Sequence, residues 1–178
     1  MEVKSQALRR DSSFGLTFRS QQSDGLLALS TFLGKPSGHL ADFYSVSLLG
    51  GRVVLRVGES SVQTVETYND GRHHTLFVIR RADKLSTYID DILVEGGEIS
   101  LHSNNREIKA PSQGGLFIGG VPSVIKADVL TSNMAASVEN FVGTIQDFAF
   151  IDDLTVRVVA MNEPVSFFNV AIGREFFA

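Results

Sequence analysis

Hydrophobic and polar positions alternate along most of this chain with a period of two. Arg52-Val-Val-Leu-Arg-Val57 places Val53, Leu55 and Val57 on one side, with Arg52, Val54 and Arg56 on the other. In Leu76-Phe-Val-Ile79 both parities are apolar, which predicts a strand interior to a sheet rather than at its edge. Phe148, Phe150 and Ile151 mark another apolar strand. Asn69-Asp70-Gly71 is a tight-turn signal, followed by a strand beginning near His74. The polar turn Arg81-Ala82-Asp83-Lys84 leads into a short strand, Leu85 to Ile89, which ends in the acidic turn Asp90-Asp91. Glycines at Gly50-Gly51, Gly58, Gly96-Gly97, Gly114-Gly115 and Gly119-Gly120 are spaced for hairpins and bends. No segment of helical length shows a 3.6-residue period. The best helical candidate, Ala127 to Val138, contains Thr131-Ser132-Asn133 and reads as a loop. The pattern predicts an all-β sandwich of many strands.

Composition narrows the picture. The 178 residues suit a single domain spanning 1–178, with length enough for a sizeable core. Hydrophobic residues make up 43% and charged residues 20%, a globular balance rather than a disordered one. No apolar run approaches the roughly 18 residues of a membrane span, so membrane insertion is not expected. The start, Met1-Glu-Val-Lys-Ser-Gln, lacks the apolar core of a signal peptide, so an extracellular chain of this sequence is expected to be a piece of a longer protein. The net charge of −4 argues against nucleic acid as a partner. There are no cysteines, which excludes disulfides, zinc–thiolate sites and thiol chemistry together.

Several stretches in order carry a family resemblance. Phe14-Gly-Leu-Thr-Phe-Arg19 and Asp24-Gly-Leu-Leu27 come first, then Asp42-Phe43 with Val46, Leu48 and Gly50-Gly51-Arg52-Val53. Asn69-Asp-Gly-Arg-His-His74, Leu116-Phe-Ile-Gly-Gly-Val-Pro122 and Phe141-Val-Gly-Thr-Ile-Gln-Asp-Phe148 follow. Together they cover about residues 14 to 174 and resemble the laminin G-like domain, as found in laminin α chains and in the neurexin, agrin and perlecan modules. The resemblance implies an antiparallel jelly-roll β-sandwich. It also implies a secreted, non-enzymatic binding module of the extracellular matrix and basement membrane that serves cell adhesion. Its implied partners are sulfated glycans such as heparan sulfate, receptors such as α-dystroglycan and integrins, and neighbouring domains of the same chain. The family often carries a C-terminal disulfide; Thr144 stands where one of its cysteines is expected, and the tail offers no partner.

The same resemblance marks Asp42 as a calcium ligand. The stretch that would supply a second side-chain ligand, Lys109-Ala-Pro-Ser-Gln-Gly-Gly115, holds no acid and no Asn, and Asn104, Asn105 and Glu107 come several residues too early. Calcium takes about six to eight oxygens with carboxylates supplying charge, so the site reads as incomplete. Basic residues form the second candidate. Arg72, Arg80, Arg81, Lys84, Lys109 and Lys126 are the residues expected to hold anionic glycans, because guanidinium offers a planar fork to sulfate or carboxylate. Solvated surface charge is the plainer reading of any one of them. His73 and His74 point to opposite faces of a strand and so cannot readily share one ligand; both read as partly buried structural residues.

Enzyme signatures are missing: no metalloprotease helix, nucleophile elbow, phosphate loop or dinucleotide fingerprint is present. Paired carboxylates along one strand, which a glycan-degrading sandwich needs about 5–9 Å apart, are also missing. Two alternatives stand beside the binding module: a carrier of small steroid-like ligands, since 13 Phe residues could line a pocket between the sheets although they are more simply core, and, ranked below it, a glycan-active enzyme on the same jelly-roll sandwich.

Overall fold

A computed structural model describes residues 2–3, 11–31, 44–57, 60–81, 84–100, 115–131, 135–152 and 155–158. These residues form twelve strands and one helix. In order they are β1 (Glu2–Val3), β2 (Asp11–Arg19), β3 (Gly25–Thr31), β4 (Tyr44–Leu49), β5 (Arg52–Val57) and β6 (Ser60–Gln63). Then come β7 (His74–Arg81), β8 (Lys84–Ile89), β9 (Ile92–Ser100), β10 (Gly115–Ile118), α1 (Ser123–Thr131), β11 (Thr144–Asp152) and β12 (Thr155–Val158).

The strands build two six-stranded sheets. The first has the order β1-β10-β3-β4-β5-β6 and the second β12-β11-β2-β7-β8-β9. Every strand pair is antiparallel. The chain crosses between sheets after β1, β2, β6, β9 and β10, so β2 and β7, far apart in sequence, become neighbours. This is the expected jelly-roll sandwich. β7 lies between β2 and β8, as its two apolar parities predict.

Alternation sets the core. Phe14, Leu16 and Phe18 of β2, Leu76 and Val78 of β7, and Leu85 and Ile89 of β8 face Tyr44, Val46 and Leu48 of β4 and Val53, Leu55 and Val57 of β5. Phe14 is wholly buried and stacks on Tyr44 at 4.9 Å and on Phe148 at 6.0 Å between ring centroids. These phenylalanines fill the core, in keeping with the simpler of the two roles open to them.

The helix corrects the loop expected over Ala127 to Val138. It starts earlier, at Ser123 directly after Pro122. Val129 of α1 joins Val121, Ala135 and Val138 in a second cluster with Leu26, Leu29 and Phe117, over the outer face of the first sheet. Ser45 and Ser47 are buried beneath the same cover, and the Ser47 hydroxyl donates to the Ser137 carbonyl at 3.3 Å. Among the described residues no helix is long and apolar enough to cross a membrane.

Strand direction gives the sandwich two rims. One collects the β2–β3 turn, the β4–β5 turn at Gly50-Gly51, the segment 64–73, the β8–β9 turn and residues 139–143. The other collects the paired strand ends Arg81 with Lys84 and Asp152 with Thr155, together with Thr31, Tyr44, Ser100 and Gly115.

Candidate functional site

The first rim is organised around His74. Gly71 has φ +80°, which lets the Asn69-Asp70-Gly71 turn reverse just before β7. Its N–H donates to the Ser20 carbonyl at 2.9 Å, and its own carbonyl accepts from Arg19 Nε at 2.7 Å. The Asp70 carboxylate folds back to accept the Arg72 N–H at 2.8 Å. Across the rim, Asp90 and Asp91 have φ of 51° and 64° and link Ile89 to its register partner Ile92. Two left-handed residues are what a two-residue hairpin loop requires, and Asp tolerates that conformation. Asp90 is tied to β7 twice, with its N–H donating to the Thr75 carbonyl and its Oδ1 accepting from the Thr75 N–H, both at 2.8 Å.

His74 lies between these two turns. Nδ1 meets Asp90 Oδ2 at 2.7 Å and Nε2 meets Asp70 Oδ1 at 3.0 Å. Its side chain is 11% exposed, with the Tyr68 ring edge-on at 5.0 Å and Phe18 at 5.8 Å. Burial pulls the imidazole down, but the hydrogen bonds and charges of Asp90 and Asp70 outweigh it and hold its pKa above the ordinary value. The Asp70 carboxyl is pushed the other way, below the ordinary range, first by the Arg72 N–H and then by His74. His74 is therefore the buried structural residue expected, whereas its neighbour His73 is exposed.

The basic residues divide between places. Arg81 and Lys84 are register partners at the end of the β7–β8 hairpin, both exposed, with Asp11 opposite Arg81 on the other side. Arg80 is one register position away, opposite Leu85 and Ser12. Arg72 lies at the His74 rim, its Nε 3.6 Å from Asp70 Oδ2, at the far end of β7 from Arg81. Lys126 is half-buried on α1. The six residues are thus not one patch, and Arg81 with Lys84 is the pair the fold brings together. Asp42 and Lys109 lie outside the described residues, as do Asn104, Asn105 and Glu107. The strand ends that flank them in sequence, Thr31 and Tyr44 for Asp42 and Ser100 and Gly115 for Lys109, belong to the same rim as Arg81 and Lys84. Among the described residues no three or more His, Cys, Asp or Glu gather as a metal site.

Read from sequence alone, Asp70 and Asp90 are turn residues only. Their four- and sixteen-residue separations from His74 are the available signal, and only the antiparallel register turns the second into contact.

The two antiparallel sheets and the five crossings between them define the class of jelly-roll sandwich domains. Residues 18–152 match the family model for the laminin G domain, and the chain belongs to that family. It is 29% identical over 149 residues to the laminin subunit alpha of Drosophila melanogaster, a match that covers 80% of this chain and 4% of that protein. Among solved structures it is similar to domains LG4-5 of the mouse laminin alpha1 chain, with a TM-score of 0.67 and 15% identity over 95% of this chain and 42% of that one. The LG1-3 region of the laminin alpha2 chain matches with a TM-score of 0.59 and 20% identity, covering 84% of this chain and 30% of that one. The chain therefore spans a small part of the laminin relative and less than half of either solved chain.

Proposed function

We propose that this chain is an extracellular-matrix binding module of a laminin-type protein that performs no catalysis. It contacts sulfated or acidic glycans, and through them receptors such as α-dystroglycan, by the rim that carries Arg81 and Lys84. Family membership supports the module, and the Arg81–Lys84 pair supports the rim. Two cations held opposite one another across a hairpin repel, and a bridging anion converts that repulsion into attraction. Integrin contact is a protein-led use of the same domain.

The test is binding to immobilised heparan sulfate and to glycosylated α-dystroglycan. The double variant Arg81→Ala/Lys84→Ala is expected to weaken binding roughly three- to tenfold at low salt, with the loss shrinking as salt rises. Arg72→Ala and Lys126→Ala serve as controls and should bind as the parent does. Unchanged elution of the double variant from heparin overturns the assignment. Binding abolished by a chelator and by Asp42→Ala would assign the contact to calcium instead.

A further inference from the structure

The His74 cluster has chemistry that a purely structural reading leaves unused. A carboxylate only accepts hydrogen bonds, and a neutral imidazole has only one N–H to donate. Both ring nitrogens here face carboxylate oxygens, at 2.7 and 3.0 Å. Both contacts can be hydrogen bonds only when the ring carries two protons. We propose that His74 is held as the imidazolium and acts as a proton-operated clasp, joining the Asn69-Asp70-Gly71 turn to the β8–β9 turn and releasing the former when a proton leaves.

The two arms are unequal, which fixes where release occurs. Asp90 keeps both bonds to Thr75 whatever the state of the ring. Asp70 has the longer contact, is 44% exposed and accepts the Arg72 N–H through the same oxygen. The proton therefore leaves Nε2, Asp70 faces a lone pair, and its carboxylate turns towards water and the Arg72 guanidinium, which already lies 3.6 Å away. Gly71 follows, and with it the bond to Ser20 that holds this turn against the β2–β3 turn. Of the charged and titratable groups on the three elements beside the ring, Asp90 and Asp70 act on it directly. Glu66, Tyr68, Asp70 and Arg72 lie on the segment before β7, Asp90 and Asp91 on the β8–β9 turn, and Arg19 at the end of β2.

The sign follows from the raised pKa of the ring. The clasp is complete below the ordinary histidine value of 6.5 and opens as pH rises through the higher value His74 has in the fold. On the acid side the Asp70 carboxyl, held below its ordinary value first by the Arg72 N–H and then by His74, keeps its charge to lower pH than an unperturbed carboxylate.

The test follows the His74 ring by NMR from about pH 5 to 9, a window that brackets the ordinary histidine titration. Amide hydrogen exchange, corrected for its intrinsic pH dependence, is measured alongside. The ring should titrate above 6.5. Protection of the Gly71 N–H should fall by about three- to tenfold through that same midpoint, while the Thr75 and Asp90 amides keep theirs. Asp70→Asn retains the ring and its Asp90 bond, and should lower the midpoint and flatten the Gly71 response. A ring that titrates at or below 6.5 overturns the proposal. Gly71 protection that is flat through the midpoint, or lost together with Thr75 and Asp90, overturns it as well.

Discussion

Asp90 combines two demands that substitution can separate. Its backbone is left-handed, with φ 51°, and its carboxylate accepts the Thr75 N–H at 2.8 Å while facing His74 at 2.7 Å. Asp90→Gly keeps the backbone and removes the carboxylate. A hydrogen bond to a charged group contributes about 1.5–3 kcal/mol, and the 43% exposure of Asp90 discounts that to roughly 1–2 kcal/mol. Asp90→Ala removes the same groups and also places a Cβ in the left-handed region, for about 1 kcal/mol more. Asp90→Asn tolerates the turn and keeps an oxygen for Thr75, so it should lose the least. Asp91→Ala, at φ 64° in the same turn, isolates the backbone cost alone, about 1 kcal/mol. Urea unfolding read by tyrosine fluorescence and circular dichroism gives the four values by linear extrapolation. The expected order of loss at position 90 is Asn, then Gly, then Ala. Alanine as stable as glycine would refute the left-handed turn. Asparagine as damaging as glycine would refute the carboxylate-to-backbone bond.

Other substitutions probe the core and the turns. Phe14→Ala should cost about 3–5 kcal/mol in urea unfolding, because the ring is wholly buried against Tyr44 and Phe148; a loss under about 1 kcal/mol would contradict that packing. Gly143→Ala should be the harsher of two glycine changes, at about 2 kcal/mol or more, since its φ is +155° and an added Cβ meets the Arg19 carbonyl and the Phe141 ring. Gly50→Ala, at φ +59° with open space around it, should cost only about 1 kcal/mol, and equal losses at the two positions would count against the close approach at Gly143.

Much of this architecture is legible because strands write their burial into every second residue. Val53, Leu55 and Val57 point inward as the alternation of β5 requires, and the two apolar parities of β7 match its central place. The helix is not legible. Val129 is wholly buried, but Val124 and Leu130 are 72% and 55% exposed, so its described apolar residues form no single stripe. It also has no acidic residue in its first turn and no basic residue in its last. Its place depends on Leu26, Leu29 and Phe117, which belong to other elements. The division of the basic residues is partly legible. Arg72 and Arg81 sit at opposite ends of an eight-residue strand, which at roughly 3.3 Å per residue separates them by about 26 Å. Which other segments share each rim depends on where the chain crosses between sheets, and no local pattern records that.

The two rims differ in what a partner would have to displace. At the His74 rim the carboxylates already serve the fold: Asp24 accepts the Gly50 N–H at 3.1 Å, Asp70 accepts the Arg72 N–H, and Asp90 accepts the Thr75 N–H. A ligand for those groups must break an internal bond before it makes its own, so its net gain is small. At the Arg81–Lys84 hairpin the fold instead sets two exposed like charges in register, with Asp11 opposite Arg81 on its other side. An anion seated there removes a repulsion and breaks nothing among the strand bonds that hold the hairpin. The Arg81–Lys84 pair is thus the physical ground for proposing glycan contact at this rim, and the carboxylate bonds of Asp70 and Asp90 are the ground for bracing at the other.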